Sequence, residues 1–217
     1  SFPTRRSSDL TTTKQKIVIA GGTGFVGQGI IKQLPPQLFD VHSLSRHGRQ
    51  PKNGDSTTYH AVDFNQPDQL QAVIMDADWV IDAIGILLPN PIKKQNYQNS
   101  SYEPAKKLID VVVQSPKTKF LFVSANTGPF FMRPYLKAKR AVEKDMAQLL
   151  PKRSFSVYPG IIFDKDRTSS YLPGLMVARL RGISYFYKLR AIPRTYFAKE
   201  IKKILLGHRS ELQQRRV

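Results

Sequence analysis

Tyr135 and Lys139 stand four residues apart in Tyr-Leu-Lys-Ala-Lys, a spacing that puts a phenol and an ammonium on one face of a helix. A cation beside a phenol favours the phenolate, so the pair predicts a tyrosine of lowered pKa, suited to general acid–base work. Ser124 lies 11 residues before Tyr135 and closes an apolar run, where its hydroxyl could hold a substrate carbonyl near the phenol. Taken singly, the serine also suits a helix cap or a loop hydrogen bond, and the Tyr/Lys spacing an ordinary helix.

A second pattern concerns phosphate. Gly21, Gly24 and Gly27, in Gly-Gly22-Thr23-Gly-Phe25-Val26-Gly, follow the apolar run 17–20 and open a segment with Ile30, Ile31 and Leu34 at helical spacing. Strand, glycine turn and helix in that order are the setting of a dinucleotide cradle, in which free N–H groups at the helix start meet a pyrophosphate. Gly21 would make the turn, Gly24 would admit the phosphates, and Gly27 would let the helix pack close. Some twenty residues on, where a carboxylate would bind ribose hydroxyls, the chain carries Ser45 and Arg46. An arginine pairs with a 2′-phosphate that a carboxylate would repel, which favours NADP(H) over NAD(H).

Further positions complete this reading. Asp63 suits either an adenine amino group or the capping of its own turn. Ala83 and Gly85 are small where a nucleotide would cross a sheet, and Pro159, in Tyr-Pro-Gly, would shape a turn beside the nicotinamide end. Asp82 is a carboxylate inside an apolar strand and needs a partner that the sequence does not name.

The elements that must position these residues alternate. Strands are expected at 17–20, 41–45, 59–62, 79–84, 119–124 and 155–158, with helices at 67–75, 101–113 and 134–150. That order predicts an α/β fold: a Rossmann-like doubly wound parallel sheet whose ligands lie beyond the carboxyl ends of its strands. From residue 164 onward the pattern loosens, and helices expected at 172–181 and 196–206 suggest a small C-terminal cap. The domain division expected is 11–164 for nucleotide binding and 165–217 for the basic cap. Residues 1–10 read as one translated frame of a sequencing adapter joined to a gene, so they are set aside as non-native.

Composition narrows the classes. The chain has 217 residues and no cysteine, which removes disulfides, thiolate metal sites and cysteine nucleophiles. Its four histidines lack metal-ligand spacing, so no metal site is expected. The formal charge is +18, and residues 165–217 hold 13 Lys and Arg against 3 Asp and Glu. This excess suits an anionic membrane surface or a solvated basic face. In 196–206, Phe197, Ile201, Ile204 and Leu205 share a helical face, as in a membrane-surface helix or one packed on a sheet. No recognised nucleic-acid motif accompanies the charge, so nucleic acid is the weakest partner class.

Together, Gly21 to Gly27, Ser124, Tyr135/Lys139 and Tyr158-Pro-Gly160 resemble the short-chain dehydrogenase/reductase superfamily in its extended or atypical branch. Ser45-Arg-His-Gly-Arg49, Gly85-Ile-Leu-Leu88 and Pro159-Gly-Ile-Ile-Phe-Asp164 are similar to the atypical subgroup that includes a fungal mitochondrial protein of ubiquinone biosynthesis and its bacterial relatives. The chain departs from the superfamily in a shorter interval between Ser124 and Tyr135, and in having Ser101 near the place of its structural asparagine. The resemblance implies an NAD(P)-binding fold with two functional readings. One is an NADP(H)-dependent oxidoreductase on a small molecule, with Tyr135 as proton donor, Lys139 as its partner and ribose ligand, and Ser124 as carbonyl positioner. The other is a non-catalytic NADP(H)-binding accessory or sensor docked to a partner complex or membrane. The expected location is the bacterial cytoplasm, peripheral to a membrane in the basic-surface reading, or the mitochondrion in a eukaryote.

Overall fold

The computed structural model describes residues 13–86, 89–90, 92, 94–165, 174, 176–177, 179–180, 182 and 184–216. Residues 1–10, expected to be non-native, and half of the helix expected at 172–181 lie outside the described residues. Six strands, β1 (Gln15–Ala20), β2 (Phe39–Ser45), β3 (Thr58–Ala61), β4 (Trp79–Asp82), β5 (Lys119–Val123) and β6 (Ser154–Val157), form one parallel sheet in the order β3-β2-β1-β4-β5-β6. The order reverses direction between β1 and β4, and that switch point opens a crevice at the strand ends.

Alternation along each strand feeds two apolar layers. Val18, Val80, Phe120 and Phe122 pack beneath helices α2 (Pro67–Ile74), α3 (Glu103–Val113) and α4 (Arg133–Leu149). Ile17, Ile19, Ile81 and Leu121 face the other way, toward α1 (Phe25–Ile31) and a late helix that we label α6 (Arg194–Leu205). Phe197, Ile201, Ile204 and Leu205 of α6 are all within this second layer. The amphipathic face seen in the sequence is therefore turned to the core, and α6 packs on α1. Helix α5 (Ser184–Leu189) and a two-stranded parallel pair, β7 (Ile162–Phe163) with β8 (Ile192–Pro193), lie beside it.

Two departures from the sequence reading have local causes. Strand β4 ends at Asp82 rather than continuing to 84, because the Asp82 carboxylate accepts the Ile84 N–H at 2.9 Å and turns the chain out of the sheet. The helix expected from 101 starts at Glu103, with Pro104 in its first turn, and is entered through a π-helical turn, Gln98–Tyr102. Truncating Phe197, which is fully buried on α6, is expected to cost about 3–5 kcal/mol of unfolding free energy in urea titration. Lys199→Ala on the exposed face of the same helix should stay within about 0.5 kcal/mol.

Candidate dinucleotide site

The glycine turn after β1 has the backbone that its residues predict. Gly21 has φ +81°, and a β-carbon there would lie 3.0 Å from the Ala83 carbonyl oxygen across the sheet. Both the dihedral and the contact demand glycine. Gly22 packs on β2, where a β-carbon would come within 2.8 Å of Ser43 Cβ. Gly27, on the first turn of α1, would place one 2.6 Å from Gly22 Cα, so the helix rests directly on the turn. Gly24 is exposed and its missing side chain meets only the Gly21 carbonyl, which leaves its N-terminal helix approach open.

Beyond the ends of β1 to β4 lies a cleft of about 570 Å³. Gly21, Thr23 and Gly24 form one wall; Ser45, Arg46 and Asp63 extend it over β2 and β3; Ala83 and Gly85 floor it from β4. Eight of the residues singled out in the sequence thus converge on one cavity. Gly22 and Gly27 lie behind the wall. Val26 packs into the core beneath α1, and the Phe25 ring lies 4.6 Å from the guanidinium of Arg194. Arg46 is exposed at the rim, and the buried Ser45 hydroxyl has no partner among the described residues. Asp63 gives one carboxylate oxygen to the Asn65 N–H at 2.9 Å, which is the turn-capping role allowed for it. Lys107, missed in the sequence, also lines the cleft and donates to Asn65 Oδ1 at 2.5 Å. Its only signal was a place one helical turn after Glu103, another lining residue.

Ser124, Tyr135, Lys139 and Pro159 do not line this cleft, and their arrangement corrects two expectations. The Tyr135 pKa is not lowered. Burial, with the neighbouring Tyr97 ring at 5.7 Å, pushes it up to about 12, and Arg140 opposes this only in part. Lys139 does share the helix face, with Nζ 5.9 Å from the Tyr135 ring. Its proton, however, goes to the Val123 carbonyl at 2.8 Å, and the ammonium sits over the Phe122 ring at 4.5 Å. Ser124 is not free to hold a carbonyl in this conformation: its hydroxyl donates to Glu143 and accepts from Arg140 at 3.2 Å. Pro159 presents its carbonyl to the Asn126 N–H at 3.0 Å, which ties the turn after β6 to the end of β5.

Arg140 and Glu143, three residues apart on α4, were not singled out in the sequence. They bond to each other at 2.6 Å, and Arg140 also donates to the Ala125 and Asn126 carbonyls. Glu143 receives Arg215 as well, while Asn126 holds the Arg216 backbone N–H at 2.7 Å. Residues from the C-terminal stretch thus pack against the end of β5, an association of high sequence separation that no local pattern reveals.

Residues 21–171 match the family described as NAD(P)H-binding. The chain belongs to that NAD(P)H-binding family. Among relatives, it is 25% identical to the MIOREX complex component 2 of Saccharomyces cerevisiae (strain ATCC 204508 / S288c), over 71% of this chain and 75% of that protein. Among solved structures, it is similar to a UDP-N-acetylglucosamine 4-epimerase from Bacillus cereus, with TM-score 0.65 and 14% identity over 91% of this chain and 73% of that one. A short-chain type dehydrogenase/reductase from Mycobacterium ulcerans gives TM-score 0.64 and 17% identity, over 90% and 84%. At these identities the likeness to the solved structures is one of fold, and it is the dehydrogenase/reductase fold expected from the motifs. For an NAD(P)H-binding chain the cleft is fitting: the glycine turn and the exposed Gly24 at the start of α1 border it, and Ser45, whose buried hydroxyl has no partner among the described residues, lines it.

Gly21→Ala is expected to lose about 1–3 kcal/mol of stability through strain at positive φ, and to abolish NADPH binding in a fluorescence titration. Native-like stability and affinity in that variant would show that the turn is not under this constraint.

Proposed function

We propose that the chain is an NADP(H)-dependent oxidoreductase of the atypical short-chain dehydrogenase/reductase type, acting on a small molecule past Gly85, between the cleft and Tyr135. The observation that carries the cofactor preference is Arg46, exposed at the cleft rim directly after β2, where a ribose-binding carboxylate would otherwise stand. A guanidinium in that place supplies a charge-assisted, bidentate partner for a 2′-phosphate. Thr23, Gly24 and the start of α1 would hold the pyrophosphate, and Ala83 and Gly85 would admit the nucleotide across the sheet.

When bound, the nicotinamide supplies hydride. Tyr135 keeps its proton at neutral pH, because burial and Tyr97 disfavour the phenolate. A protonated phenol is what a carbonyl reduction needs as its acid. Lys139, on the same helix face, gives its hydrogen bond to the Val123 carbonyl and not to the phenol.

A second reading rests on the Ser124 hydroxyl, which is given to Glu143 rather than to the space near Tyr135. This supports a non-catalytic NADP(H)-binding accessory or sensor, in which the nucleotide stabilises a fold that docks elsewhere.

Arg46→Ala is expected to weaken NADPH binding about 10–100-fold while changing NADH binding less than about threefold, consistent with the loss of one charge-assisted contact. Equal losses for both nucleotides would contradict the assignment. In NADPH oxidation assays with quinones, aldehydes or nucleotide sugars, Tyr135→Phe should abolish turnover and leave NADPH affinity within about twofold. Tight NADPH binding by the parent chain with no turnover on any of these classes would favour the accessory reading.

A further inference from the structure

The cleft accounts for one side of Gly85; the other side meets Lys139 together with two polar groups, Asp82 and Ser101, that have no assigned role. A β-carbon on Gly85 would lie 3.5 Å from both Lys139 Nζ and Ser101 Oγ, so the ammonium and the hydroxyl approach the cleft floor where the chain lacks a side chain. Lys139 is 3% exposed, which is severe for an ammonium whose one hydrogen bond goes to a neutral carbonyl, that of Val123. Its remaining protons have no acceptor beyond the Phe122 ring face among the described residues.

Asp82 is the acid of this cluster. It is fully buried at the end of β4; one carboxylate oxygen is used by the Ile84 N–H, and Oδ2 has no partner among the described residues. Ser101 Oγ is likewise buried and without a partner. Asp82 pairs with Phe122 in the β4–β5 register, and the Lys139 ammonium lies over the Phe122 ring, so the orphaned carboxylate oxygen and the ammonium share one side of neighbouring strands without a direct ion pair between them. Each orphan costs free energy until it is satisfied.

We propose that Asp82 is the positioning residue of the nicotinamide end: its carboxylate is the counter-charge that keeps Lys139 an ammonium, presented past Gly85 to the ribose hydroxyls of a bound dinucleotide. This rests on the NADP(H) reading above and adds a role for a residue that touches neither nucleotide nor substrate. Lys139 is faced by Asp82 from β4 and by Tyr135 and Glu143 from its own helix, with Tyr97 beyond Tyr135. Its neighbours Phe122, Val123 and Ser101 carry no charge. Glu143 is already engaged by Arg140, Arg215 and the Ser124 hydroxyl, which leaves Asp82 as the uncommitted negative charge.

Burial and charge act on the two groups in opposite senses. Burial raises Asp82 to about 6, and Lys139 opposes the rise. Burial lowers Lys139, and Asp82, then Glu143, oppose the fall. Removing the Asp82 carboxylate takes away the larger of the two charges that oppose burial and leaves Glu143 alone, so the Lys139 proton must come off at lower pH.

The test is an NMR titration of the free protein with lysine carrying 13C at Cε, the Lys139 signal being identified by its loss in Lys139→Met. In Asp82→Asn the Lys139 acid dissociation constant should rise about tenfold or more. A Lys139 titration within about twofold of the parent chain would overturn the proposal. Should Asp82→Asn fail to fold, the reciprocal measurement serves: Asp82 observed through 13Cγ should titrate at higher pH in Lys139→Met, and an unchanged Asp82 would equally overturn it. The alkaline limb of NADPH binding should move to lower pH in Asp82→Asn. If the parent chain does not bind NADPH, the cofactor reading fails while the lysine titration still decides the pairing.

Discussion

Everything at the site depends on how closely α1 sits on the turn after β1. Gly27 permits that approach, because its bare Cα lets the first helical turn rest on the backbone of Gly21 and Gly22. The contact sets the helix start above the strand ends, at the switch point between β1 and β4, and so decides where free N–H groups point. Any side chain at Gly27 would lift the helix and open the turn. A side chain at Gly21 would also strike Ala83 on the neighbouring strand, so turn, helix and sheet are mutually locked. On the far side of α1, Gly29 admits the buried Arg194 side chain, whose Nε reaches Asp164 at 2.7 Å. The C-terminal part of the chain is thereby fastened to the same helix.

The large positive charge acquires a partly internal meaning. Arg153 donates to the Val112, Ser115 and Thr118 carbonyls at the end of α3 and beyond it, Arg140 to the Ala125 and Asn126 carbonyls after β5, and Arg190 to Glu211 and Gln214. A guanidinium has five donors in a rigid fork, so each can satisfy several otherwise orphaned carbonyls at once. These arginines act as clasps between segments far apart in sequence. Arg46 at the cleft rim, by contrast, is exposed.

The sheet and the glycine cradle were legible because their signals are local: an apolar run, a glycine spacing and a helical repeat all lie within twenty residues of one another. The strand ends were less so. β4 stops at Asp82 because of a side-chain bond to Ile84, and the residue read as an unexplained buried acid proves to be the terminator of its own strand. The acid–base end was legible in residue type but not in state. Spacing correctly placed Lys139 and Tyr135 on one face, yet the field at Tyr135 is set by burial and by Tyr97, a residue from a different element. Ser124 was read against Tyr135, whereas its partner is Glu143, two turns further along α4. Pairings of this kind arise from how helices lie on the sheet, and no spacing within one segment encodes them.

In the proposed reading, the cleft above β1 to β4 is a dinucleotide site whose phosphates rest on the glycine turn. A crystal structure of the chain grown with saturating NADPH would show where the nucleotide lies. The pyrophosphate is expected over Thr23 and Gly24 at the start of α1, the adenosine phosphate against Arg46, and the nicotinamide end past Gly85 toward Lys139 and Tyr135. A cleft that remains empty at saturating NADPH, or a nucleotide bound elsewhere on the molecule, would contradict it.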